Sequence, residues 1–172
     1  MILSVHATFG AAVASLMPTH PLVGFVLGFA SHFVLDAIPH KDYKLICLDP
    51  GPDKELKLID LIQKKFSLIR DVILVSFDAL VGLILAFMFF FNPEHPFVFL
   101  LGAVGALIPD FLTFLYLLFK HKSLGHFFDF HINVIHSKTE LNLNQVLGVC
   151  CQFFTLAVLI AILFGSRYLI FS

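Results

Sequence analysis

Apolar residues fall into five long runs, at residues 1–17, 21–38, 66–91, 97–119 and 143–164. A helix needs about 20 apolar residues to cross the hydrocarbon core of a bilayer, with about 17 as the lower limit. The last three runs exceed that length, and the first two only approach it. Pro18-Thr19-His20-Pro21 separates the first two and folds them into a tight helical hairpin. Polar residues collect in two stretches, 40–65 and 120–142. Within the first, Asp49-Pro50-Gly51-Pro52-Asp53 is a turn cluster. Beyond it, Leu58, Ile59, Ile62 and Phe66 share one helical face, with charged residues opposite. That pattern predicts a helix lying on the membrane surface. The chain is therefore expected to be all-α. It reads as one domain, residues 1–172, an integral membrane bundle of about five transmembrane helices with an amphipathic cytoplasmic surface helix over 54–66.

Composition strengthens this reading. Of the 172 residues, 59% are hydrophobic, and the mean hydropathy is +0.94; soluble domains are about 45–50% apolar. The 22 Phe, three Tyr and absent Trp leave little of the usual interfacial aromatic belt. A net charge of -1, with no basic stripe, excludes nucleic acid as a partner. Cys47, Cys150 and Cys151 make no disulfide framework and read as small apolar residues. The first run lacks a basic flank, so no cleavable signal peptide is expected.

Charge also orients the chain. Lys41, Lys44, Lys54, Lys57, Lys64, Lys65 and Arg70 lie in or beside the first polar stretch, and Lys120, Lys122 and Lys138 in the second. The turns 18–20 and 92–96 carry no Lys or Arg, and only Arg167 falls on their side. The positive-inside rule then places both polar stretches and the N-terminus in the cytoplasm.

The chemistry is concentrated in Ser31-His32-Phe33-Val34-Leu35-Asp36-Ala37-Ile38-Pro39-His40. His32 and Asp36, four apart, share one helix face, and His40 follows the helix end. Imidazole nitrogens and a carboxylate so spaced can grip one divalent ion or two neighbouring ones. The alternative is a hydrogen-bonded His–Asp pair that braces the bundle. Asp71 and Asp78 on the third helix and Asp110 on the fourth are further acids inside apolar runs. A charge there costs about 2.5–3.5 kcal/mol even on the lenient insertion scale. Arg70 can pair with Asp71, whereas Asp78 and Asp110 have no basic residue nearby in their helices. Pro109 loosens the helix at Asp110 and frees a carbonyl nearby. In the second polar stretch His131 and His136 are the preferred pair of ligands, and His6 lies at the start of the first helix. At about 1.5 Å per residue, Asp110 and His32 stand roughly 13 and 10 Å from the inner ends of their helices. The metal candidates are therefore His6, His32, Asp36, His40, Asp110, His131 and His136, with Asp78 or Asp110 as a second-metal ligand or a catalytic base. Zinc is the expected ion, because it accepts mixed nitrogen and oxygen ligands.

The segment Gly28-Phe29-Ala30-Ser31-His32-Phe33-Val34-Leu35-Asp36 resembles a signature of the YdjM-like inner-membrane metal-dependent hydrolases, as do Leu107-Ile108-Pro109-Asp110 and the early His6. Over most of its length the chain is similar to small uncharacterised bacterial membrane proteins with a Ser-His-Phe-x-Leu-Asp-x-Ile-Pro-His-x-Asp-Tyr element. More distantly, His32 to His40 resembles the metal motif of zinc-dependent phospholipase C. These resemblances imply a multi-pass protein of the bacterial inner membrane, with His6, His32, Asp36 and Asp110 as site residues. They also imply hydrolysis of a phosphate ester. Membrane lipids are the expected partners and a lipid phosphoester the expected substrate. Two other readings stay open: a scaffold with a structural metal or polar core, and a transporter of protons or metal ions.

Overall fold

The computed structural model describes residues 1–41, 45, 65–135 and 144–171. All regular structure among them is helical. The helices are α1 (Leu3–Ala14), α2 (Pro21–Asp36), α3 (Lys65–Phe90), α4 (Val98–Phe119), α5 (Lys122–Phe128) and α6 (Gln145–Phe171). A π-helical turn, Asp129–Ile135, continues directly from α5. The expected surface helix falls on residues 54–66, of which 54–64 lie outside the described residues, as do Cys47 and His136.

Three helices contain stretches long and apolar enough to cross a membrane: Phe66–Phe90, Val98–Leu117 and Val146–Gly165. The side chains of Ile73, Phe77, Met88, Phe89, Phe111 and Phe154 point outward, as a lipid-facing surface requires. The first two apolar runs make shorter helices than expected, because a turn takes residues from each. α1 has 12 residues and α2 has 16, or about 18 and 24 Å against a hydrocarbon core of about 30 Å. They form a hairpin packed among the long helices, closed by the turn that precedes Pro21 at the first position of α2.

α1 is the centre of the bundle. It packs on α2, α3 and α4, and on α6 through Leu156. Its face is built from Ala7, Gly10, Ala11 and Ala14, small residues that let backbones approach closely. Where α2 crosses α4, a Cβ on Gly28 would strike the Gly102 carbonyl, and one on Gly10 would strike the same group from α1. Close approach of three backbones at Gly102 fixes the crossing.

The start of α1 lies deep in the bundle. Leu3 and Ser4 donate their amides to the Asp78 carboxylate at 2.6 and 3.3 Å, and Asp78 lies midway along α3. Ile2 donates to Gln152 Oε1 of α6 at 2.8 Å, while Gln152 Nε2 donates to the Lys41 carbonyl. The first amides of a helix have no partner within it, and there is no water in the hydrocarbon layer to supply one. Side chains from α3 and α6 take that role. The hairpin thus ends near the middle of the long helices, and that end carries His6, His32 and Asp36.

α4 stops at Lys120, which has a left-handed conformation at φ 50. The chain then folds back along α4, with Tyr116 against Phe128 at 4.7 Å and Thr113 bonded to His131. This return brings the π turn to the deep end of the hairpin.

Gly28→Ala is expected to destabilise the protein by about 1–3 kcal/mol, the usual cost of overpacking, read as a lower midpoint of thermal unfolding in detergent. Gly165→Ala, with nothing within 4 Å of the added carbon, is the control and should not lower it.

Candidate metal centre

His32 and Asp36 occupy the last turns of α2, Asp110 the turn after Pro109 in α4, and His131 the π turn. Four atoms face one another: His32 Nε2, Asp36 Oδ2, Asp110 Oδ1 and His131 Nε2. Asp36 Oδ2 is 3.1 Å from His32 Nε2 and 2.9 Å from His131 Nε2, and the two imidazole nitrogens are 2.9 Å apart. Asp110 Oδ1 is 3.7 Å from His32 Nε2 and 4.0 Å from His131 Nε2. Ligands bonded to one ion at about 2.0–2.2 Å stand about 2.8–3.6 Å apart at octahedral to tetrahedral angles. Three separations fall in that range. Asp110 lies just beyond it and is the member with room to move, at 35% exposure, whereas the other three side chains are buried. This group can hold a metal ion.

Hydrogen bonds behind the ring fix the chemical state of His32. Its Nδ1 lies 2.8 Å from the Ala106 carbonyl, in the turn of α4 before Pro109. A carbonyl only accepts, so Nδ1 carries the proton, and in the neutral ring Nε2 presents a lone pair. His40 repeats the pattern: its Nδ1 lies 2.7 Å from the Ile38 carbonyl, and its Nε2 faces the Met1 nitrogen at 2.8 Å. His131 is held from behind by Thr113 Oγ1 at 2.9 Å. Metal-binding histidines are characteristically oriented by such an outer partner on the second nitrogen. A lone pair on His32 Nε2, set 2.9 Å from another imidazole nitrogen and 3.1 Å from a carboxylate oxygen, requires a proton or a cation between them.

The other sequence candidates are placed as follows. His6, fully buried, stacks on His32 with ring centroids 4.0 Å apart, and its Nε2 is 3.1 Å from Asp36 Oδ1. His40 stands on the same side of Asp36, linked through the Met1 nitrogen, which is 2.8 Å from Asp36 Oδ1. Asp78 meets the amides of Leu3 and Ser4 and is not among the four grouped residues. Arg70 Nη1 is 3.5 Å from buried Asp71. His136 lies outside the described residues. Sequence reasoning did not find the Met1 nitrogen, Thr113 or Gln152. Gln152, an amide well inside the last apolar run, was the one visible signal. Comparison with known protein families, curated proteins and solved structures gives no match.

An ion that binds only the folded state stabilises it by about 2.7 kcal/mol at a hundred times its dissociation constant. Zinc is expected to raise the unfolding temperature of the purified protein accordingly, and His131→Ala should abolish the rise. An equal rise in the variant would place the ion elsewhere.

Proposed function

We propose that the chain is a membrane-embedded, metal-dependent hydrolase of the bacterial inner membrane that cleaves a phosphoester from the cytoplasmic side. The observation that carries this reading is the unequal exposure of the four grouped side chains. Three buried side chains fix the position, while Asp110 keeps a third of its surface open. A catalytic centre needs an open side for water and substrate, whereas a structural centre closes its shell.

A divalent ion such as zinc supplies a Lewis acid that polarises a phosphoryl oxygen and makes water nucleophilic near neutral pH. His32, Asp36 and His131 hold and orient it. The accessible Asp110 carboxylate takes the proton of the attacking water, in keeping with its place on the open side. Asp78 acts at a distance by holding the start of α1, and with it His6, in register.

A lipid phosphoester fits the depth of the site. Asp110 stands about 13 Å from the Phe119 end of α4, within reach of a headgroup drawn inward along the helices. The hairpin α1–α2 completes a five-helix arrangement with the N-terminus toward the cytoplasm, in accord with the Lys-rich polar stretches. The Ser31–Tyr43 element supports kinship with the small bacterial membrane proteins it resembles. A transporter fits less well, because the far half of the hairpin packs through Gly10, Ala14, Gly24 and Gly102 without polar side chains.

Metal-loaded protein in detergent is expected to hydrolyse phospholipid or a generic phosphodiester, to lose activity on chelation and to recover it on metal addition. Asp110→Asn should reduce kcat by roughly 10²–10⁴-fold, the usual contribution of a general base, while retaining metal. Bound metal without turnover on any phosphoester tried would favour the structural brace.

A further inference from the structure

Arg70 is the only Lys or Arg within the three stretches long and apolar enough to cross a membrane, Phe66–Phe90, Val98–Leu117 and Val146–Gly165. It sits about one turn into the first of them, and its side chain is 51% exposed. A guanidinium inside a spanning segment is costly and marks a function. Its Nη1 is 3.5 Å from Asp71 Oδ1, longer than the about 2.7–2.9 Å of a charge-assisted hydrogen bond. Asp71 is fully buried, whereas the half-exposed guanidinium carries five N–H donors, more than one long contact with Asp71 uses.

The same face of α3 carries a groove. Phe66, Ile69, Arg70, Ile73, Leu74 and Phe77 line a space of about 470 Å³. They fall on successive turns of one helix face, and all but Arg70 are apolar. From Phe66 to Phe77 the groove runs about 16 Å at about 1.5 Å per residue. That is close to half of the about 30 Å hydrocarbon core, the depth of one leaflet. Helical side chains lean toward the N-terminus of their helix. For α3 that is the Phe66 end, next to Lys64 and Lys65 in the sequence, so Arg70 leans toward the polar boundary while the groove continues inward.

We infer that this face binds one anionic phospholipid of the adjacent leaflet, with its phosphate on Arg70 and an acyl chain in the groove. The planar fork of arginine matches two phosphate oxygens, and the phosphate completes the neutralisation that Asp71 begins. A second copy of the chain fits this face less well. The acids of the spanning stretches, Asp71, Asp78 and Asp110, are engaged within their own chain and leave no intramembrane anion to offer Arg70. α3 supplies none of the four grouped residues of the candidate metal centre, so the lipid site does not depend on the proposed hydrolase.

Full-length protein is delipidated in non-ionic detergent, stripped of metal by a chelator, and titrated with phosphatidylglycerol or with phosphatidylcholine of the same acyl chains. Bound lipids are counted by native mass spectrometry. The wild type is expected to bind its first phosphatidylglycerol at least about fivefold more tightly than phosphatidylcholine, the effect of one basic residue at an anionic surface. Arg70→Gln should bring the two lipids to parity. Arg70→Lys should keep part of the preference, because the charge remains while the fork is lost. Impaired folding alone would weaken both lipids together and leave their ratio unmoved. Glycerol phosphate at the same concentration should not displace the lipid, since it lacks the chain, and displacement would overturn the role of the groove. Equal binding of both lipids by the wild type, or an unchanged preference in Arg70→Gln, would overturn the site. A wild type recorded as a dimer without bound lipid would assign the face to a second copy and overturn it as well.

Discussion

A carboxylate buried at the deep end of the α1–α2 hairpin governs this structure. Asp36 is almost completely inaccessible, and moving such a group out of water costs several kcal/mol unless partners replace its hydration. No Lys or Arg side chain is paired with it among the ion pairs of the described residues. Its partners are His6, His32, His131 and the Met1 nitrogen. They come from the start of α1, from α2 itself and from the π turn, so the requirement of one carboxylate organises α1, α2 and the return after α4.

The short helices follow from that requirement. A hairpin that crossed the whole bilayer would carry Asp36 to the aqueous boundary, where water would solvate it. By ending near the middle of α3 and α4 it keeps Asp36 buried, but leaves the first amides of α1 inside the bundle. Asp78 and Gln152 satisfy them. The small residues of α1 and Gly102 of α4 let the backbones pack closely enough for these side chains to reach. Packing of the far half and chemistry of the near half are two consequences of one placement.

The three long helices were legible from hydropathy, because a bilayer selects for length and apolarity directly. The position of the hairpin break was legible from Pro18 and Pro21. The depth of the hairpin was not, since it depends on contacts such as Gly28 on Gly102 that no local pattern encodes. His32, Asp36 and Asp110 stood out as costly residues in apolar runs, and His131 as one of the two histidines preferred in a polar stretch. The π turn that aims it inward has no sequence signal of its own. Asp78 was visible as a buried acid, but its attachment to the start of α1 is a long-range pairing. A free carbonyl near Pro109 was legible, but its meeting with His32, like that of the Met1 nitrogen with Asp36, is a long-range contact that no local pattern encodes.

The central claim is that a divalent ion is held at the point where α2, α4 and the π turn meet. Anomalous diffraction at the zinc absorption edge, from crystals of zinc-loaded protein, tests it most directly. The account predicts an anomalous peak about 2.0–2.2 Å from His32 Nε2, His131 Nε2 and the Asp36 carboxylate. Well-ordered density for these side chains with no anomalous peak among them would contradict it.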